Sequence, residues 1–151
     1  MVASEAGKIN PTITAALTRQ LQSEAVQISS SFFTPEFIAD GLFNDALASS
    51  TELFRKLNLA DSLSALVLAR EDVQYAQNAA LENVITATIR LVVTAVPVSG
   101  QGAPVTWTFT AYGPGFTKEI ARTAAEERLI KQIASDTKLS LTAIISSTQN
   151  H

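Results

Sequence analysis

The chain has no cysteine, and its single histidine is the last residue, His151. Disulfides, thiol nucleophiles and cysteine-bound metals are therefore excluded, while the compartment stays open. A Ser–His–acid triad needs its histidine inside a packed site, and a terminus is where order is lost first. Zinc held by imidazole or thiolate fails on the same shortage of ligands. Charge is scarce too: charged residues make up 17% of the chain, and 11 basic residues against 14 acidic ones leave a net charge of −3. No broad electropositive face for a phosphate backbone is expected from that balance. Uninterrupted apolar runs are only a few residues long, far short of a membrane span. The opening, Met1 to Lys8, lacks the apolar core of a signal peptide. It reads as a native start or as the trimmed start of a longer reading frame, and His151 as native or appended.

What is present suffices for a fold. Hydrophobic residues make up 46% of the 151 positions, and a domain of this length buries roughly 70% of its unfolded surface without a disulfide or metal. The expected organisation is a flexible segment over 1–9, one domain over 10–138, and an edge strand with a loose tail over 139–151.

Asn10-Pro11-Thr12 reads as a helix start, because proline lacks only an N–H that the first turn leaves unused. Ile13, Leu17 and Leu21 then mark one apolar face. Ala25 to Ser29 is apolar and β-branched enough for a short strand. Thr34-Pro35-Glu36 opens a second helix with Phe37, Ile38, Leu42 and Ala46 as its stripe. Gly41 and Ser49-Ser50-Thr51 threaten its continuity. Ala65 to Ala69 reads as a buried strand that turns more polar through Val73 and Tyr75. In the next strand Ile85, Ala87, Ile89, Leu91 and Val93 face one way. Thr86, Thr88, Arg90 and Thr94 face the other, with Val92 as the exception. After a turn at Ser99–Gly102, Val105, Trp107, Phe109 and Ala111 alternate with Thr106, Thr108 and Thr110. These two strands predict an antiparallel hairpin, apolar on one face and threonine-rich on the other.

Gly113-Pro114-Gly115 is expected to end the hairpin, with Thr117 capping a last helix. Ile120, Ala121, Ala124, Ala125, Leu129 and Ile133 would be its buried face, with Glu127 and Lys131 paired on the wet side. Leu139, Leu141, Ala143 and Ile145 permit a final edge strand. The order α-β-α-β-β-β-α(-β) predicts an α+β two-layer sandwich with a mainly antiparallel sheet and helices on one face.

Little of this carries chemistry. The acids Glu71-Asp72, Glu126-Glu127, Asp40 and Asp45 are expected on solvated surface, the usual place of such side chains. A cation site at Asp40, Asn44 and Asp45 lacks the alternating acids of a calcium loop. Gly100-Gln101-Gly102 lacks the spacing and lysine of a P-loop. Gly113-Pro114-Gly115 precedes a helix and could offer N–H groups to an anion, but turn and cap geometry accounts for its glycines. Trp107 shares a face with Phe109 and is expected in the core. Catalytic residues, cofactors and metals are accordingly expected to be none. The candidate interaction surface is the polar face bearing Thr86, Thr88, Arg90, Thr106, Thr108 and Thr110.

Two cadences resemble known families. Gly113 to Ala125, a glycine-rich turn leading into a helix with lysine and alanine, resembles the end of the double-stranded-RNA-binding domain. That family's adjacent lysines become Lys118-Glu119 here, with Glu126-Glu127 following, so the charge works against RNA. Over Ile13 to Ile133, the order of events is similar to a bacterial-envelope domain. That domain stands at the N-terminus of TolB and in CsgG-type and penicillin-binding-protein-activating lipoproteins. The likeness runs from the helix at Ile13 to Leu21, through the strand ending at Arg70-Glu71, to the strand closed by Ser99-Gly100 and the alanine-rich last helix. No lipobox cysteine is present.

This second resemblance implies a non-catalytic protein-interaction or assembly domain of a cell-envelope protein, in the periplasm or at the inner face of the outer membrane; without it, the expectation is cytoplasmic. Partners would be another protein or a second copy, with no nucleic acid, no direct membrane span, and a tether only through an upstream lipidated segment. The alternatives are a small-molecule-binding or acid-based enzymatic domain, and double-stranded RNA binding.

Overall fold

The alternation over 65–115 builds a three-stranded antiparallel meander. In the computed structural model, which describes residues 2–4, 8–22, 28, 34–59, 62–98 and 103–136, the strands are β2 (Ala65–Gln77), β3 (Ile85–Pro97) and β4 (Val105–Gly115). β2 pairs with β3 from Ala65↔Pro97 to Gln77↔Ile85, and β3 with β4 from Ile85↔Gly115 to Ala95↔Val105. A short strand β1 (Val2–Ser4), which periodicity did not predict within the 1–9 segment, adds parallel to β2 at Ala69–Glu71. The sheet order is β1-β2-β3-β4. The fold is α+β.

Helix α1 (Pro11–Gln22) starts where the proline signal places it. The Asn10 side-chain oxygen accepts from the Ile13 N–H at 3.1 Å, satisfying one of the donors that a helix N-terminus leaves open. Helix α5 (Lys118–Ser135) is capped by the Thr117 hydroxyl, which accepts from the Ile120 N–H. Thr117 and the backbone at Glu119 also hold the exposed Glu119 carboxylate below its usual range, the backbone bond contributing more. Ile13, Leu17 and Leu21 of α1 and Ala121, Ala125, Leu129 and Ile133 of α5 close over one face of the sheet. Ile120, expected on that buried face, is instead 53% exposed. On α5 the i,i+4 ion pair is Arg122–Glu126; Glu127 and Lys131 form none among the described residues.

The stretch read as one interrupted helix is three: α2 (Pro35–Ala39), α3 (Leu42–Leu47) and α4 (Thr51–Lys56). The first break is Gly41, in the left-handed region at φ 75. The second is Ser49, also left-handed at φ 56, followed by Ser50, whose hydroxyl caps α4. Among the described residues nothing lies within 4 Å of a Cβ added at Gly41, so conformation is what resists a side chain there. Gly41→Ala should therefore destabilise by about 1 kcal/mol, as a denaturant midpoint would report. No change would mean that the α2–α3 corner relaxes freely.

These short helices correct the one-face layout. Phe37, Phe43, Ala46, Leu53, Phe54 and Leu59 cluster with Leu66, Leu68, Val96 and Val98. Those sheet residues alternate with Val67, Ala69 and Ala95, which belong to the α1–α5 core. Helices α2–α4 thus cover the opposite face of the sheet, at the end where β2 begins and β3 finishes.

Gly113 and Gly115 also differ from expectation. They are paired residues of β4, facing Ala87 and Ile85 across the ladder. A Cβ at Gly113 would run into the Ala125 nitrogen and the Ala121 oxygen, and one at Gly115 into the Ala121 nitrogen. The α5 backbone rests directly on them. Of the strand expected at Ala25–Ser29, only Ile28 is described, half-buried against the core. The Ser99–Gly102 turn and the segment 139–145 lie outside the described residues.

Candidate interaction surface

Because strand residues alternate between faces, every even-numbered residue of β2, β3 and β4 points away from α1 and α5. Besides Leu66, Leu68 and Val96, which α2–α4 cover, this face carries further cross-strand rows set by the ladder. Asp72, Arg90 and Thr110 form one row, Gln74, Thr88 and Tyr112 the next, and Arg70, Val92 and Thr108 another. All six sequence-selected residues fall here: Arg90, Thr106 and Thr108 are exposed, while Thr86, Thr88 and Thr110 are half-buried. Periodicity missed Tyr112, Arg70 and Gln74 as members of the same face. Tyr112 is 55% exposed.

The charges on this face are unevenly committed. Arg70 donates to the Asn44 side-chain oxygen at 2.7 Å, tying β2 to α3. That bond occupies the oxygen weighed as a cation ligand. Asp72, directly across from Arg90, accepts from the Gln74 amide at 3.0 Å. Arg90 has no hydrogen bond or ion pair among the described residues, so its guanidinium stands open to water or a partner.

The other polar feature overturns an expectation. Glu71, read as a surface acid, is 1% exposed. Its position in β2 puts it on the core face, in line with Val67 and Ala69. Its Oε1 accepts from Arg122 at 3.2 Å and its Oε2 from Asn10 at 3.1 Å. Glu126 completes the group, accepting from Arg122 at 2.9 Å and from Asn10 at 3.2 Å. Burial works against the Arg122 charge, but the Glu126 hydrogen bond and the charges of Glu71 and Glu126 outweigh it and raise the Arg122 pKa. The cluster joins the start of α1, the middle of β2 and the first half of α5. Its polar atoms are mutually satisfied and Glu71 is sealed from solvent, which suits it to holding elements together. Beside it, Lys118 lies over the Tyr75 ring, 5.5 Å from the centroid.

Among the described residues no group of three His, Cys, Asp or Glu side chains gathers to hold a metal ion. No helix there is long and apolar enough to cross a membrane. Neither a family model, nor a curated protein, nor a solved structure matches the chain.

Proposed function

We propose that this chain is a protein-interaction or assembly domain that works by binding rather than by catalysis. On the cadence of its elements we assign it to a bacterial cell-envelope protein. The observation that carries the binding reading is the open sheet face. It presents Arg90 without a partner among the described residues, surrounded by threonines and next to the row of the 55% exposed Tyr112. Threonine and tyrosine bury area with few rotors to freeze and still offer hydroxyls, and aromatic residues and arginine are enriched in interface cores. Strand propensity accounts for the threonines and the tyrosine but not for the arginine among them.

The test is Arg90→Glu. The side chain is exposed and bonded to nothing among the described residues, so stability should change by less than about 0.5 kcal/mol. Self-association, followed by sedimentation, or capture of a protein partner from the source cell's envelope fraction, should weaken at least tenfold. Equal association by variant and parent, at equal melting temperature, removes this face from the function.

A further inference from the structure

Helices α2–α4 and the open rows share one face of the sheet, so that face is a step. The Arg70–Asn44 bond marks its edge. There α3 borders the row of Arg70, Val92 and Thr108, and the next row is Asp72, Arg90 and Thr110. The raised end is one helix thick, about 10 Å. The low end is a floor of three rows, finishing with Ala76, Thr86 and Pro114. Three rows on three strands make a floor of about 20 Å by about 14 Å. Gln74, Ala76, Arg90, Tyr112 and Pro114 are exposed on it.

The two levels differ in charge. The raised end shows Glu36, Asp40, Asp45 and Glu52, all exposed, and the chain has no base from Thr34 to Phe54. On the floor Asp72 is half-buried and turned to Gln74, which leaves Arg90 as the exposed charge. Asp45 follows Asn44 in α3, at the edge of the step, and Arg90 stands in the first row below that edge. Neither makes an ion pair among the described residues.

We infer that the occupant of the open face is a second copy of this chain, with the raised end of each lying on the floor of the other. This rests on the binding reading of the face and names its partner. A two-fold pair uses the same surface on both copies. With the axis across the strands the two steps interlock, and Arg90 of each copy comes against α3 and Asp45 of the other. With the axis along the strands, raised end would meet raised end and hold the floors apart. Each copy buries a floor and the top of a helical layer, so the pair hides four floor areas, about 1,100 Å². Interfaces of that size belong to weak, transient complexes, so the dimer forms at high concentration.

Sedimentation equilibrium of the full chain, carried to millimolar concentration, should show monomers in exchange with dimers. Arg90→Glu and Asp45→Lys should each weaken the dimer about tenfold or more, because like charges then meet at both seams. Mixed in equal amounts, the two variants should associate nearly as well as the parent, since each seam of the mixed pair again joins opposite charges. A mixture that recovers no association overturns the reciprocal docking. A parent that stays monomeric overturns the second copy as occupant, yet the open face stands if Arg90→Glu still weakens capture of a different protein. A parent dimer indifferent to Arg90→Glu removes both readings. Asp45 sits in the first turn of α3, where an acid suits the helix. Should Asp45→Lys lower the melting temperature, Asp45→Asn and Arg90→Gln take the place of the reversals. Each alone should weaken the dimer, and the two combined no more than the stronger single change. Additive losses overturn the contact.

Discussion

Replacing Gly113 by alanine should destabilise the domain by about 3 kcal/mol or more, the upper range for forcing atoms into a filled interior. Two effects oppose each other. Alanine restricts the unfolded chain and so favours folding by about 0.4–1 kcal/mol where the native conformation tolerates it. Against that, the new methyl meets the Ala125 nitrogen and the Ala121 oxygen. Those are helix backbone atoms that cannot turn aside as a side-chain tip can. α5 must lift or slide, and Ala121, Ala125 and Leu129, all 0% exposed, lose contact together. The steric term wins. Equilibrium denaturation in urea measures it, and a loss below about 1 kcal/mol would show that α5 does not seat on this strand. Gly115→Ala should act in the same sense, while Gly41→Ala has free space and meets only a conformational cost.

The glycine pair also shows where the sequence could be read and where it could not. Alternation from Ile85 to Ala95, broken only at Val92, and strict alternation from Val105 to Ala111 identify both strands and their faces, because a half-buried sheet forces period two. The small alanines on the buried face of the last helix fit its close approach to the sheet. Gly-Pro-Gly reads as a turn because that composition is the usual punctuation between elements. Here the glycines answer the alanines opposite them, and only a three-dimensional pairing reveals that. The layout of α2–α4 was hidden for a similar reason. Leu66 and Leu68 form with Val67 and Ala69 a continuous apolar run, which signals burial on both faces of a strand. The helices that cover the second face are each only five or six residues long, too short for periodicity to assign a direction.

Within the candidate surface, the threonines and Arg90 were legible from alternation. Tyr112 lies one step of the same alternation beyond Thr110, just past the stretch in which apolar and threonine positions trade places. Glu71 was the clearest miss. Its neighbours Arg70 and Asp72 made it look like part of a charged surface run. Yet counting by two from Ala65 and Val67 through Ala69 puts Glu71 on the apolar side, with Val73 beyond it. That parity was available. What it could not supply was Arg122, 51 residues away, and Asn10, 61 residues away, whose side chains make burial of the carboxylate tolerable.

Truncating Arg122 to alanine should therefore cost about 3 kcal/mol, because removing one partner of a buried pair leaves the other charge uncompensated. That range is normally 3–5 kcal/mol. The Arg122 side chain is 41% exposed and that of Glu71 0%, so water already screens the arginine end and the lower limit applies. The variant keeps one Glu71 contact, the Asn10 amide at 3.1 Å, an uncharged donor already shared with Glu126. If the loss comes from the stranded carboxylate, removing that charge should repair it. Glu71→Leu alone should change stability by about 1 kcal/mol or less, since it keeps much of the volume and leaves Arg122 paired with Glu126 and open to water. The Arg122→Ala, Glu71→Leu double variant should then recover about 2 kcal/mol over Arg122→Ala, a coupling typical of side chains in direct contact. Urea melts of the four proteins close the cycle. Additive losses would mean that Arg122 matters through the packing of its aliphatic stem against α5 and β2, and that the Glu71 charge is neutralised by some other group.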